Sequence, residues 1–266
     1  MKVTISKDAR PQAMMLLAAV ALSIVLWFVP FGGILSFPFR LFVTFIHEGG
    51  HALAALITGN SVQSLSVAFD GSGETYTTNG GTLSQMLVSS AGYLGAMTFG
   101  AILLVLIRRA VAVRLVLAGS SLLILALTLV FGLFKPIVSG SWGSLASVPF
   151  TVIAGVAVAV GLFAVARFAS KRVAMFVTSL LAAQCVLDAV LDLKTVFFLS
   201  SPFGSGVATD AVNMANATGV PAIVWTIIWI VVAIAILGIA LRMYVAARDR
   251  AFDPQADLPF EGRASA

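Results

Sequence analysis

Long apolar stretches dominate the chain and are separated by short polar breaks. Each stretch has about the 20 residues that a helix needs to cross the hydrocarbon core of a bilayer. The breaks contain prolines, glycines or paired cations, which are typical of loops between apolar helices. The pattern therefore predicts an all-α polytopic membrane protein with about seven transmembrane helices. The predicted spans are 13–34, 38–57, 85–107, 113–133, 148–167, 173–199 and 220–243.

A stretch of lower hydropathy, residues 59–84, separates the second and third predicted spans. Within it, apolar Leu65 and Val67 alternate with small residues, and the turn-forming sequence 70–73 follows. Residues 74–78 offer a second extended run, so the pattern predicts a short β-hairpin. The alternatives are a solvated loop and an exposed strand edge to which an extended peptide adds by main-chain hydrogen bonds.

The second predicted span contains the sequence His47-Glu48-Gly49-Gly50-His51. On a helix, His47 and His51 lie one turn apart on one face and can share a metal ion, with Glu48 beside them to hold a water. Because zinc hydrolases use this arrangement, Glu48 is the predicted catalytic residue and both histidines are predicted metal ligands. The alternative is a set of side chains hydrogen-bonded inside a helix bundle. Gly49 and Gly50 indicate close approach of another helix or of a substrate backbone, or helix packing alone.

Two more carboxylates, Asp188 and Asp192, fall in the sixth predicted span, where Lys194 is the only nearby cation. An ionisable side chain at mid-bilayer costs about 2.5–3.5 kcal/mol on insertion scales, so it faces a partner or a cavity. With Gln184, the two acids recur every four residues and form one polar stripe on a helix face. A divalent metal held by both histidines and one of these acids would compensate the charge. The spacing leaves open whether Asp188 or Asp192 is the third ligand.

Further polar residues lie near the ends of predicted spans. Ser89, Ser90 and Tyr93 are predicted to pack between helices, with hydrogen bonding near the site as the alternative. Asp210 is predicted to cap a helix that begins near Ala211, with a functional role as the alternative.

The composition agrees with a membrane protein and excludes several other classes of protein. Of the 266 residues, 60% are apolar and 10% charged, and the mean hydropathy is +1.05, whereas about a quarter of a soluble domain is charged. A water-soluble globule, a disordered chain and a nucleic-acid binder are thereby excluded. The single cysteine, Cys185, excludes an intrachain disulfide and cysteine metal sites, so a metal would be held by histidines and carboxylates.

The distribution of cations predicts sidedness in the membrane. Eleven of the sixteen Lys and Arg residues fall on the side of the predicted C-terminus and five on the other. Because cytoplasmic loops carry the excess of Lys and Arg, the C-terminus is predicted to be cytoplasmic, although three cations of the N-terminal tail oppose this. The first span is expected to be retained. We expect one membrane-embedded domain, 1–248, and a disordered tail, 249–266.

Several short motifs resemble the site-2 protease family of intramembrane zinc metallopeptidases, and most closely the B-like branch of peptidase family M50. The resemblance implies that His47 and His51 are zinc ligands, Glu48 the general base and Asp188 the intramembrane aspartate ligand. The resembling segments, spread over about 38–235, are 47–53, 58–59, 91–95, 186–188, 192–193, 209–211 and 218–219, with Trp225 and Trp229.

The leading hypothesis is a zinc-dependent intramembrane endopeptidase in which Glu48 activates a water for attack on a membrane-embedded or juxtamembrane peptide bond. Its expected partners are a membrane-protein substrate and the lipid bilayer, and no nucleic acid. The alternatives are a proton- or ion-coupled transporter that uses the His, Glu and Asp side chains, and an inactive metal-binding membrane scaffold. A bacterial inner membrane is the expected location.

Overall fold

The computed structural model describes residues 10–78, 80–108, 113–140, 146–200 and 207–246. The predicted tail 249–266 lies outside these residues, and the division into a domain 1–248 and a tail stays a prediction. In chain order the elements are α1 (Arg10–Phe28), α2 (Gly32–Ile57), β1 (Val62–Val67), β2 (Gly73–Thr77), α3 (Thr82–Arg108), α4 (Val113–Leu127), a π-helical segment (Thr128–Phe134), α5 (Lys135–Ser139), α6 (Val148–Phe168), α7 (Lys171–Leu199), α8 (Asp210–Thr218) and α9 (Ala222–Ala246).

Membrane-spanning helices form the body of the protein. Among the described residues, five helical stretches are long and apolar enough to cross a bilayer: 82–107, 113–139, 148–168, 171–199 and 222–245. They correspond to the third to seventh predicted spans. The apolar part of α1, Gln12–Phe28, is shorter, and α2 carries Arg40 and the charged motif residues. The chain is thus a helical integral membrane protein, and the count of seven spans stays a prediction.

An antiparallel hairpin of β1 and β2 lies between α2 and α3, which confirms the prediction from alternation. Leu65 pairs with Thr75 and Val67 with Gly73. The side chains of Leu65 and Val67 are buried, and the Val67 N–H donates to Thr151 Oγ1 of α6 at 2.9 Å. Because no water satisfies backbone groups inside a bilayer, such partners are needed wherever a strand enters the bundle. Strand β1 is therefore part of the packed core, whereas the residues of β2 are exposed or half-buried.

The turn of the hairpin is fixed to α2 by side chains of that helix. Arg40 Nη2 donates to the Asp70 carbonyl oxygen at 3.0 Å, and Thr44 Oγ1 donates to the Gly71 carbonyl oxygen at 2.7 Å. Within the turn, the Ser72 hydroxyl and N–H both donate to the Asp70 carboxylate. These hydrogen bonds lower the pKa of the Asp70 carboxyl and favour its charged form.

Close approach of α2 and α3 depends on small residues. A Cβ atom at Gly50 would collide with the Ala91 carbonyl oxygen of α3, and Gly95 also lies next to Gly50. Gly49 instead faces the end of the flexible Leu127 side chain. The prediction that another helix approaches the glycine pair is thus confirmed, with Gly50 as the residue that permits it.

Candidate metal centre

The motif histidines lie on α2, which presents both imidazoles to α3. One helical turn separates them, as the spacing predicts, and their Nε2 atoms are 3.1 Å apart. His51 Nδ1 lies 2.7 Å from the Val88 carbonyl oxygen. A proton on Nδ1 would be donated to that carbonyl, leaving the Nε2 lone pair free to bind a cation. Both rings therefore offer a ligand atom at one point.

The first residue of α8 completes the group with a carboxylate. Asp210 Oδ2 lies 3.4 Å from His51 Nε2 and 3.8 Å from His47 Nε2. Burial raises the pKa of the Asp210 carboxyl, but the two imidazoles beside it, His51 above all, outweigh burial and hold the pKa well below its usual range. The ligand atoms of these three residues all lie within 4.8 Å of one another.

The predicted capping role of Asp210 is wrong. Thr209 is the N-cap of α8, and its hydroxyl accepts a hydrogen bond from the Val212 N–H. Asp210 is the first residue inside the helix, so its carboxylate is available to the imidazoles. The sequence did not indicate this residue as a candidate ligand, although the Thr-Asp order was a usable signal, because a threonine before the aspartate supplies the cap itself.

The donor chemistry and the free space both fit a metal ion. Two imidazole nitrogens and one carboxylate oxygen form the three-residue ligand set of catalytic zinc sites, in which the fourth position is left open. Gly92 of α3 faces the pair of rings, and a Cβ atom there would collide with Nε2 of both His47 and His51. Glycine at this position thus keeps the point between the nitrogens open.

Glu48 lies next to this group and is held by the hairpin. Its side chain is 5% exposed, and Thr75 Oγ1 on β2 lies 2.7 Å from Glu48 Oε2 and donates to it. A Cβ atom at Gly73 would lie 2.7 Å from Glu48 Oε1, so the strand backbone passes directly over the carboxylate. The structure therefore places a positioned, buried carboxylate beside the two histidines, as the motif predicts.

Asp188 and Asp192 occupy a different position. Both are on α7, which packs against α2. Both interact electrostatically with Arg40, and Asp192 also with His47. Among the described residues, the metal-binding group consists of His47, His51 and Asp210 and includes neither of them. That Asp188 or Asp192 is a metal ligand stays a prediction. The expectation that Lys194 is their only nearby cation is wrong, because Arg40 also interacts with both.

Aromatic residues of α3 and α9 support the group. The Tyr93 ring packs edge-on against His47 with 4.7 Å between centroids, and its hydroxyl interacts with Asp210. Trp229 of α9 packs on Tyr93 and donates from Nε1 to Ser90 Oγ at 3.0 Å. Tyr93 and Ser90 were predicted to pack between helices, and both do, with Tyr93 also touching the site.

A polar cavity of about 1060 Å³ opens onto these side chains. One wall is strand β2, and the others are the first turns of α3 and the polar face of α8. The cavity is large enough for several residues of an extended peptide, because ligand pockets of about 300–1,000 Å³ enclose drug-sized molecules. Glu48 and both imidazoles line it.

Comparison with known proteins identifies the family. No curated protein and no solved structure matches the chain significantly. The sequence model of a peptidase family, however, matches residues 13–240, which include α2, the hairpin and Asp210. The resemblance seen in the sequence motifs is thereby confirmed, and the chain belongs to the peptidase M50B-like family.

Proposed function

We propose that the protein is a zinc-dependent intramembrane endopeptidase that hydrolyses a peptide bond of a membrane-embedded or juxtamembrane substrate. Membership in a peptidase family supports the hydrolase class. The observation that carries the proposal is the gathering of His47, His51 and Asp210 beside buried Glu48 at the base of a peptide-sized cavity.

In this proposal His47, His51 and Asp210 hold the metal. When bound, zinc lowers the pKa of a coordinated water towards neutrality and polarises the scissile carbonyl group. The Val88 carbonyl fixes the His51 ring by accepting its Nδ1–H. Tyr93 limits rotation of the His47 ring by edge-on packing. These contacts orient the ligands before metal or substrate arrives, which reduces the reorganisation needed on binding.

Glu48 acts as the general base and then as the general acid. It accepts a proton from the attacking water and passes it to the nitrogen of the leaving amine. The Thr75 hydroxyl, which donates to Oε2, holds the carboxylate in one rotamer. The hairpin thus helps to position the base.

Strand β2 also offers a means of holding substrate. A helical peptide bond is shielded by its own turn, so a transmembrane substrate must unwind before hydrolysis. Strand β2 lines the cavity and pairs with β1 on one side. A substrate segment could add along β2 by main-chain hydrogen bonds and lie extended next to Glu48. We place the protein in a bacterial inner membrane, where its substrates would be other membrane proteins.

The test uses purified full-length protein in detergent. We expect about one zinc per chain by elemental analysis and cleavage of casein or of single-span membrane reporters. Glu48→Gln should abolish cleavage while zinc content is unchanged, and His47→Ala should lose zinc. Cleavage by Glu48→Gln at the wild-type rate would remove Glu48 from the mechanism. Bound zinc without hydrolysis of any reporter would favour the inactive scaffold.

A further inference from the structure

The β-hairpin has two faces, and the one turned away from α2 carries a distinct set of polar side chains. Thr75 of β2 points towards Glu48 of α2. Because successive residues of a strand point to opposite faces of the sheet, Glu74 and Tyr76 point the other way. Ser66 of β1 pairs with Glu74 and shares its face. We name this second face the outer face of the hairpin, and Ser66, Glu74 and Tyr76 all line the cavity.

Glu74 brings a negative charge into the cavity. In the described part of the chain, the close ion pairs are those of Asp210 with His47 and His51, and the cavity lining contains neither lysine nor arginine. The Glu74 side chain is exposed. The two positive charges of a bound zinc ion would balance the charges of Glu48 and Asp210. The charge of Glu74 would then remain for a ligand to neutralise.

An aromatic ring lies beside this carboxylate. The Tyr76 hydroxyl donates a hydrogen bond to the Glu74 carboxylate, and this bond raises the pKa of the hydroxyl, so the ring stays neutral. Tyr76 is 48% exposed although it lines the cavity. A cation over the face of a tyrosine ring is attracted to it, and the long stem of a lysine or arginine can pack along the same ring. Carboxylate and ring together therefore suit a cationic side chain.

We infer that Glu74 and Tyr76 form a subsite for a lysine or arginine side chain of the peptide substrate. The inference rests on the proposed peptidase function and on addition of the substrate along β2. In such a segment, the residue opposite Thr75 lies on the same face as Glu48. Its two neighbours in the substrate point to the outer face, where Glu74 and Tyr76 lie. The favoured substrate thus carries a cationic residue immediately before or after the residue that faces Glu48.

Peptide binding tests this subsite without hydrolysis. Full-length Glu48→Gln protein is prepared in a nonionic detergent with zinc. Three fluorescent peptides share one serine- and valine-rich sequence and differ only in a central lysine, glutamine or glutamate, and their dissociation constants are measured by fluorescence anisotropy. An exposed ion pair and an exposed cation–π contact each contribute about 2- to 5-fold in affinity. We therefore expect the lysine peptide to bind about 4- to 25-fold more tightly than the glutamine peptide.

Substitutions on the hairpin are made in the same Glu48→Gln protein. Glu74→Gln should reduce the preference for lysine, and Glu74→Lys should reverse it in favour of the glutamate peptide. Tyr76→Leu should remove the share of the ring. Asp70→Asn is the matched control, because it removes a charge from the same hairpin outside the cavity lining, and the preference should persist. The glutamine peptide should bind all variants equally, which shows that the hairpin is intact.

Several results would overturn the subsite: equal affinities for the three peptides, no binding of any of them, or a preference for lysine that survives Glu74→Lys. The proposed peptidase function fails in a different way. A wild-type protein that hydrolyses no reporter, while its Glu48→Gln variant shows the expected charge preference, would retain the subsite and lose the peptidase assignment. Hydrolysis of reporters without any charge preference would do the reverse.

Discussion

Replacement of Asp210 by asparagine tests the assignment of the third metal ligand. The substitution preserves the size of the side chain but removes the negative charge that lies 3.4 Å from His51 Nε2 and 3.8 Å from His47 Nε2. Loss of a residue that only orients a metal ligand reduces affinity about 10–100-fold. Loss of the charged ligand itself should weaken zinc binding by at least the upper end of this range. That is about 100-fold in affinity, or about 2.8 kcal/mol of binding free energy.

The loss of zinc affinity in Asp210→Asn has a calculable effect on thermal unfolding. At a free zinc concentration 100 times the dissociation constant, the wild-type protein gains about 2.7 kcal/mol of stability from the metal. A variant that binds 100-fold more weakly gains only about 0.4 kcal/mol at the same concentration. The zinc-induced rise in Tm, measured in detergent against a chelated sample of the same variant, should therefore almost disappear. Because each variant is compared with its own metal-free form, other effects on stability cancel.

Asp188→Asn and Asp192→Asn are the matched controls, because they remove the same charge from α7. Both side chains have Arg40 as an electrostatic partner and lie outside the group of three ligand residues. We expect both variants to keep the zinc-induced rise in Tm. A full rise in Asp210→Asn, together with its loss in either control, would show that the ligand comes from α7, as the sequence stripe predicted.

Three further substitutions test the packing around the site. Gly92→Ala places a methyl group against both imidazoles and should abolish zinc binding in calorimetric titration, whereas Gly161→Ala, in open surroundings, should bind as the wild type does. Gly50→Ala pushes a Cβ atom into a carbonyl oxygen of α3 and should destabilise the fold by about 1–3 kcal/mol; an unchanged Tm would contradict the close approach. Thr75→Val removes a hydrogen bond to the Glu48 carboxylate, and a hydrogen bond to a charged group contributes about 1.5–3 kcal/mol. Under the proposed mechanism, kcat should therefore fall about 10-fold or more and recover in Thr75→Ser.

The parts of the site that the sequence predicted correctly are those set by local geometry. His47 and His51 are one turn apart on any helix, so their common face follows from the motif alone. The hairpin follows from alternation at Leu65 and Val67 and from the turn after them. In both cases the residues that determine the structure are neighbours in the chain.

The third member of the candidate metal group, Asp210, could not be found in the same way. From the sequence, acidic residues inside apolar spans were the expected ligands, because an unpaired charge in the bilayer is costly. Asp188 and Asp192 met this condition, but Arg40 of α2 lies near enough to interact with both. Asp210 lies in a polar segment outside the apolar runs, where a charged carboxylate does not carry this energetic cost. Its meeting with the imidazoles depends on the packing of α8 against α3, which no local pattern reports.

Helix α2 explains why the candidate metal ligands and Glu48 meet at one place. Arg40, Thr44 and Glu48 recur every four residues, and each contacts the hairpin. His47 and His51 form a second stripe that faces α3 and α8. Since consecutive helical residues are about 100° apart, residues 47 and 48 lie on adjacent faces where the two stripes meet. The hairpin that satisfies the polar groups of α2 in the bundle is therefore the same element that positions the Glu48 side chain next to the two histidines.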